Sequence, residues 1–539
     1  MKKSLNSSIW IGFLVVVLLL TTFGSIQLYQ QIGKQENQSK INLYSLVPSS
    51  SSALLEIRNI SQLSKDIRLN SPKLFNFEQK YATDDFLNLL FDSTDKEQAK
   101  ESLSCINSFI LNPILTDSLH NKCTLTNKLI VSYHAHKKST HYMFYFKKNE
   151  VSESFFTQFI HQNFKTNFRP KINNYRDKKI LIYPLSQSSS YLSVYIGPTF
   201  IVFSNHLYLI REMIDTLNDK TSLLSNPSFE EIYNSKSTAN IIAYVDMQKL
   251  QEKEQFIRLK TDSCLAKWAT FNLELKRDKI YFTGLIKSKE SQSPDIFTVL
   301  HNQSPIENLP IGILPFSTVY FCHRSISNLS EWESLSSCEW TNEDRDFSTF
   351  LSQYSNQQVC TIQLQEDSVH QVIVIPMNQE FNRQKLIHFI PNYSFSKSGL
   401  GEISANHVLD FFSGNNHLDL HPSWYVMASN SNLICSTSLT LLDQYVAQIE
   451  EGALLDLNMG YRHIVNQFEV PYKLLEVDCL SQTIKDGENI VSLIPRSIVC
   501  SKIIKDNYNA ALQINNQDDH SFINIVLASN RDWIPIATK

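Results

Sequence analysis

Glycine is scarce, with 12 residues in a chain of 539. Phosphate-cradling loops need glycine where backbone amides must approach a ligand closely, so this scarcity argues against them. No Walker sequence and no H-E-x-x-H stretch occurs, and no G-x-S-x-G elbow. The nine cysteines (Cys105, Cys123, Cys264, Cys322, Cys338, Cys360, Cys435, Cys479 and Cys500) never form a C-x-x-C pair, which removes the zinc-knuckle and thioredoxin-like spacings. Positive charge is not in excess either. Against 53 acidic residues stand 49 Lys and Arg, a net charge of −4, so no basic field recommends nucleic acid. No cofactor is expected.

What is present describes a folded, β-rich chain. Apolar residues make up 42% and charged residues 19%, enough to exclude global disorder. The 32 Phe and 22 Tyr suit strands with aromatic faces. The length exceeds what one hydrophobic core supports, so more than one domain is expected.

At the start, residues 1–8 carry Lys2 and Lys3, and residues 9–28 are apolar over a length that crosses a bilayer. The next basic residue is Lys34. The positive-inside asymmetry therefore places the N-terminus in the cytoplasm and the bulk of the chain outside, as a single-pass protein of the cytoplasmic (inner) membrane with a periplasmic or other extracytoplasmic body. A cleaved signal peptide is the alternative, with Thr22-Phe23-Gly24 as a poor cleavage site. Residues 29–42 are polar and read as a linker.

The remainder repeats itself. Arg58-x-Ile60-Ser61-x-Leu63-Ser64 returns as Arg324-x-Ile326-Ser327-x-Leu329-Ser330, at an offset in numbering of 324 − 58 = 266. A hairpin at 129–146 aligns with 358–375 at an offset of 229, which pairs His134 and His136 with Gln363 and Gln365. The strand and helix carrying Ser204, Leu207, Leu209 and Leu217 return at an offset of 232 as Ser436, Leu439, Leu441 and Ile449. Closing strands follow at an offset of 239. Ordered echoes of this kind predict a duplication. The expected fold class is α+β: one transmembrane helix, then two homologous modules (43–300 and 313–539) around a junction at 301–312. Each is expected to hold antiparallel strands with helices on one face. The Pro48-led strand, the strand-to-helix steps ending in Leu63 and Leu250, and Ser204 and Ser436 before their helices resemble a bacterial family of membrane-anchored extracytoplasmic proteins of unknown function. That resemblance implies location and fold, and no activity.

Three groups of residues merit weighing as sites. His417-x-Asp419-x-His421, on a strand, would present two imidazoles and a carboxylate on one face, a donor set that suits zinc or iron. A polar strand face gives the same pattern. His134, His136 and His141 could share a hairpin face, although alternation with Ile, Val and Tyr reads as a solvent-facing strand. Arg58 and Arg324 could clamp anionic groups of a partner, or serve packing through their long stems. No paired carboxylates or nucleophile emerge from spacing alone. The function expected is non-catalytic binding or scaffolding of envelope proteins. A periplasmic chaperone or secretion-associated factor is the alternative, and a metal-dependent hydrolase using His417, Asp419 and His421 a further one.

Overall fold

The structure is a computed structural model of the full chain. It describes residues 41–60, 62, 63, 66, 125–136, 139–148, 169–184, 191–235, 237–249, 268–276, 279–287, 295–336, 339–365 and 367. It further describes 370–390, 400–403, 406–413, 423–429, 431–482, 493–494, 502–517 and 520–530. The apolar run 9–28 and the stretch 70–124 lie outside these residues, and no helix among the described residues is long and apolar enough to cross a membrane.

The strands in chain order are β1 (Ala53–Ile57), β2 (Leu125–His136), β3 (Ser139–Lys148), β4 (Lys171–Tyr175), β5 (Lys178–Pro184), β6 (Tyr191–Ile196) and β7 (Phe200–Ser204). Next come β8 (Ile241–Asp246), β9 (Trp268–Lys276), β10 (Lys279–Lys287), β11 (Thr318–Ser325), β12 (Gln358–Leu364) and β13 (Val372–Pro376). The last are β14 (Leu400–Ile403), β15 (Trp424–Ala428), β16 (Asn432–Ser436), β17 (Leu474–Asp478), β18 (Tyr508–Gln517) and β19 (His520–Ser529). The helices used below are α1 (Leu207–Asp219), α2 (Pro227–Asn234), α3 (Ile296–His301), α4 (Leu329–Leu335), α5 (Asn342–Tyr354), α6 (Asn406–Ser413), α7 (Leu439–Glu450) and α8 (Met459–Val465).

By contact the chain divides into two compact units, and the division does not follow the sequence modules. The described residues of the first lie within 41–51, 125–132 and 141–226. In it β3, β7, β6, β5 and β4 pair antiparallel in that order. Helix α1 presents Leu209, Ile210, Met213 and Ile214 as its buried stripe, the helical spacing that made it legible in the sequence.

The described residues of the second unit lie within 52–66, 133–140 and 227–530. Its strands run antiparallel in the order β1-β8-β9-β10-β19-β18-β17-β11-β12-β13-β16-β15-β14. One face is an apolar core in which Phe321, Ile362, Val374 and Val477 meet Leu441, Leu442 and Tyr445 of α7 and Tyr461 and Ile464 of α8. The other face is covered too, because Thr361 Oγ1 donates to Phe412 O of α6 at 2.8 Å. The expectation of helices on one face is therefore corrected for this unit. The reason is visible in β13: Val372-Ile373-Val374-Ile375 is buried at every position, and a strand without alternation needs cover on both sides.

Backbone contacts recur between the halves of the sequence. Leu223 N donates to Val47 O, and Leu455 N donates to Leu314 O, both at 2.8 Å. The bridges Pro48–Ser222 and Pro315–Leu454 lie beside them, and each leads through a 3-10 turn into α2 or α8. Phe144 faces Phe203 in one ladder as Ile373 faces Cys435 in the other, in agreement with offsets of 229 and 232. Lys276 faces Lys279, and Gln517 faces His520. The offset between the closing hairpins is thus 517 − 276 = 241, and not 239. A slip of two preserves an alternating pattern, so hydrophobicity alone does not detect it.

Candidate functional site: a buried polar face on the second unit

The twin arginines are not equivalent. Arg58 N donates to Asn240 O, and in the other ladder the same bond runs from Ser325 N to Lys473 O. Asp246 N donates to Ser52 O as Cys479 N donates to Val319 O. The structural offset is therefore 325 − 58 = 267, against 266 for the sequence echo. A one-residue slip turns every side chain to the opposite face of a sheet. Arg58 reaches Ser237 O and lies 3.5 Å from Glu56. Arg324 reaches Phe412 O at the end of α6, with its guanidinium over Trp332, Phe411 and Phe412 at 5.6, 5.8 and 5.4 Å. A cation at the C-terminal end of a helix meets the negative end of its dipole, and a planar guanidinium suits aromatic faces.

Arg324 borders a polar surface that the first ladder lacks. In β1 and β8, Ala53 faces Val245, Leu55 faces Ala243 and Ile57 faces Ile241. The same places in β11 and β17 hold Tyr320 facing Asp478, Cys322 facing Glu476 and Arg324 facing Leu474. Across β12 the rows continue to Gln363 and Thr361. Tyr320, Cys322, Glu476, Asp478, Gln363 and Thr361 are all buried. Buried carboxylates are costly unless hydrogen-bonded, and Glu476 Oε2 accepts from Leu493 N at 3.0 Å. Burial, then Glu476, drives the Tyr320 phenol well above its usual range. Burial also pushes the Cys322 thiol up to about 12, against the pull of Arg324, so this thiol is a poor nucleophile.

Helix α6, which covers this face, is held at its other end by a charged group. The side chain of Asp344 is buried and closes a capping box on α5 with Thr341. It accepts from Thr341 N at 2.9 Å, Thr341 Oγ1 at 2.6 Å and His407 N at 3.2 Å, and lies 2.8 Å from His407 Nδ1. The His407 side chain is 41% exposed. A carboxylate that fixes one ring nitrogen and leaves the ring partly in solvent can position an imidazole for proton transfer. Four contacts to one carboxylate also staple two helix starts together. The spacing of Thr341 and Asp344 advertised the capping box. The His407 contact joins segments far apart in the chain and carries no local signal.

His417, Asp419 and His421 lie outside the described residues, as does the side chain of His136. His134 is buried, which corrects the expectation of a solvent-facing strand. Its supposed equivalence with Gln363 also fails. Ser132 Oγ lies 3.0 Å from Tyr145 Oη, so the two share a face. Val374, the counterpart of Tyr145 at the hairpin offset, shares the core face with Ile362 and not with Thr361. Asn59, at the start of the helical turn after β1, does cap, accepting from Gln62 N at 2.9 Å. Cys322, Cys360, Cys435 and Cys479 are all buried. No group of three or more His, Cys, Asp or Glu placed to hold a metal occurs among the described residues.

Residues 136–307 match a family model described as a protein of unknown function (DUF3352), a span of about a third of the chain. No curated protein matches. Among solved structures, crystal form III of TP0453 is similar at 10% identity, with a TM-score of 0.26, over 50% of this chain and 90% of that one. Crystal form I of the same protein is similar at 12% identity, TM-score 0.26, over 50% and 89%. Likenesses of this size assign neither a fold nor a role.

Proposed function

We propose that this is a membrane-anchored extracytoplasmic protein built from two copies of one α+β unit, which binds or scaffolds envelope proteins without catalysis. The apolar run 9–28 behind Lys2 and Lys3 supports a single-pass anchor with its N-terminus in the cytoplasm. The observation that carries the reading is the facing of Thr283 and Asn524 in the β10–β19 ladder. Their offset, 524 − 283 = 241, is that of the two closing hairpins. Equivalent residues oppose one another where identical surfaces meet about a twofold axis. The copies then diverge in chemistry, Leu55 and Ala243 in one standing where Cys322 and Glu476 stand in the other.

A chaperone or secretion-associated role is the second reading, and one observation favours it. Ile311, Leu457 and Met459 are 61%, 56% and 60% exposed. The first copy has Ser225 and Pro227 where the second has Leu457 and Met459. Exposed apolar residues of this kind suit unfolded clients. No observation among the described residues favours the metal-dependent hydrolase.

In-cell crosslinking of the tagged, anchored protein, followed by mass-spectrometric identification of the attached proteins, separates the two. One or two stoichiometric envelope proteins are expected. A broad spread of exported, unfolded chains would favour the chaperone instead. Recovery no different from that of the anchor alone would overturn both.

A further inference from the structure

The two strand-to-helix steps share a backbone and differ at the residue that caps the helix. Ser204 Oγ accepts from His206 N at 3.1 Å, and Ser436 Oγ accepts from Ser438 N at 3.2 Å. The second step then caps α7 in the ordinary way, Ser438 accepting from Leu441 N. The first has His206 at the cap of α1, with no side-chain cap bond. Its ring instead stacks on His141 of β3, centroids 3.5 Å apart and planes 10° from parallel. His141 is buried, and its Nδ1 lies 2.8 Å from Tyr208 Oη in the first turn of α1.

We propose that the His141–His206 stack is an acid-sensitive latch on the start of α1. Three effects oppose charging the closed pair. Burial disfavours an imidazolium at His141. A cation at His206 faces the positive end of the helix dipole. Two imidazoliums in a stack repel at short range. Among the described residues, the titratable groups facing the pair from α1 and β3 are Tyr208, Glu212 and Tyr145. Strand β7 offers none, β6 offers only Tyr191 and Tyr195, and β2 carries Lys128 and the buried His134. Arg211 turns away to Asn173 and the Tyr175 ring. Glu212 is close enough to help raise the Tyr208 phenol, and its single negative charge balances at most one proton on the stack. With the start of α1 open, both rings are solvated and take up protons in the ordinary imidazole range, near pH 6.5. The open state therefore binds more protons, and acid favours it.

Amide hydrogen exchange of the full-length protein in detergent at pH 7.5 and pH 5.0, corrected for intrinsic exchange, tests this. The first turn of α7 serves as an internal control. In the wild type, protection of residues 207–210 is expected to fall at least tenfold more than that of residues 439–442. His206→Ser, which installs the cap of the second copy, is expected to abolish the difference. Equal acid responses in the two helices, or a full response in His206→Ser, would overturn the latch. Imidazole titration by NMR on the wild type gives an independent reading that does not depend on the variant folding. Depressed titration of both rings supports the latch, and ordinary titration of both overturns it.

Discussion

Arg324 shows how one side chain serves both packing and polarity. Its guanidinium donates to Phe412 O and covers three aromatic rings, while Thr361 donates to the same carbonyl. Arg324→Met is expected to destabilise the protein by about 1–3 kcal/mol and Thr361→Val by about 1 kcal/mol. The pair should be non-additive in denaturant titrations, because both bonds end on one oxygen. His323 makes a pH-dependent contribution of known sign. It is fully buried, 2.8 Å from Tyr472 Oη, and burial pushes its imidazole down to about 3. The unfolded chain takes up that proton near pH 6.5 and the folded chain does not. Stability is therefore unaffected above about pH 6.5 and lost progressively down to about pH 3. Between pH 6.5 and 4.5 the loss is on the order of 2–3 kcal/mol. Chemical denaturation at the two pH values should show this loss in the wild type and a smaller one in His323→Phe.

Helix starts and hairpins set the geometry at the next scale. Ser204 is fully buried, donates to Tyr142 O at 2.7 Å and accepts from His206 N, so it ties β3 to the start of α1. Ser204→Ala is expected to cost about 1–3 kcal/mol, read as a shift in denaturation midpoint. Gly284 lies beneath the Phe271 ring. A Cβ there would sit 2.4 Å from Phe271 Cε1 and 3.2 Å from Ile523 O. The ring can move but the carbonyl belongs to the β10–β19 ladder, so Gly284→Val should cost about 1–3 kcal/mol and raise exchange at the amides of 520–527. These elements also show what the sequence could and could not reveal. The α1 stripe and the strands 433–436 and 522–528 were legible, since helical period and apolar runs are local signals. Register was not. The Arg58 and Arg324 echo is one residue out of step, because Pro48 and Arg58 are ten apart while Pro315 and Arg324 are nine apart. Only cross-strand hydrogen bonds reveal such a slip. The Asp344–His407 contact and the buried row from Asp478 to Gln363 stayed hidden for the same reason: each joins segments distant in sequence.

At the scale of the whole molecule, the β10–β19 ladder is the decisive junction. Strands β10 and β19 pair along the whole of β10 with Thr283 opposite Asn524. If the chain is one unit built twice, that pair marks its local twofold axis. Directly opposed antiparallel residues lie close enough for a disulfide. The decisive measurement is therefore oxidation of the full-length double variant Thr283→Cys with Asn524→Cys, mapped by mass spectrometry beside a slipped control, Thr283→Cys with Ile525→Cys. A crosslink between positions 283 and 524 within one chain is expected, with little in the control. Equal crosslinking in both, or crosslinking only between chains, would contradict it.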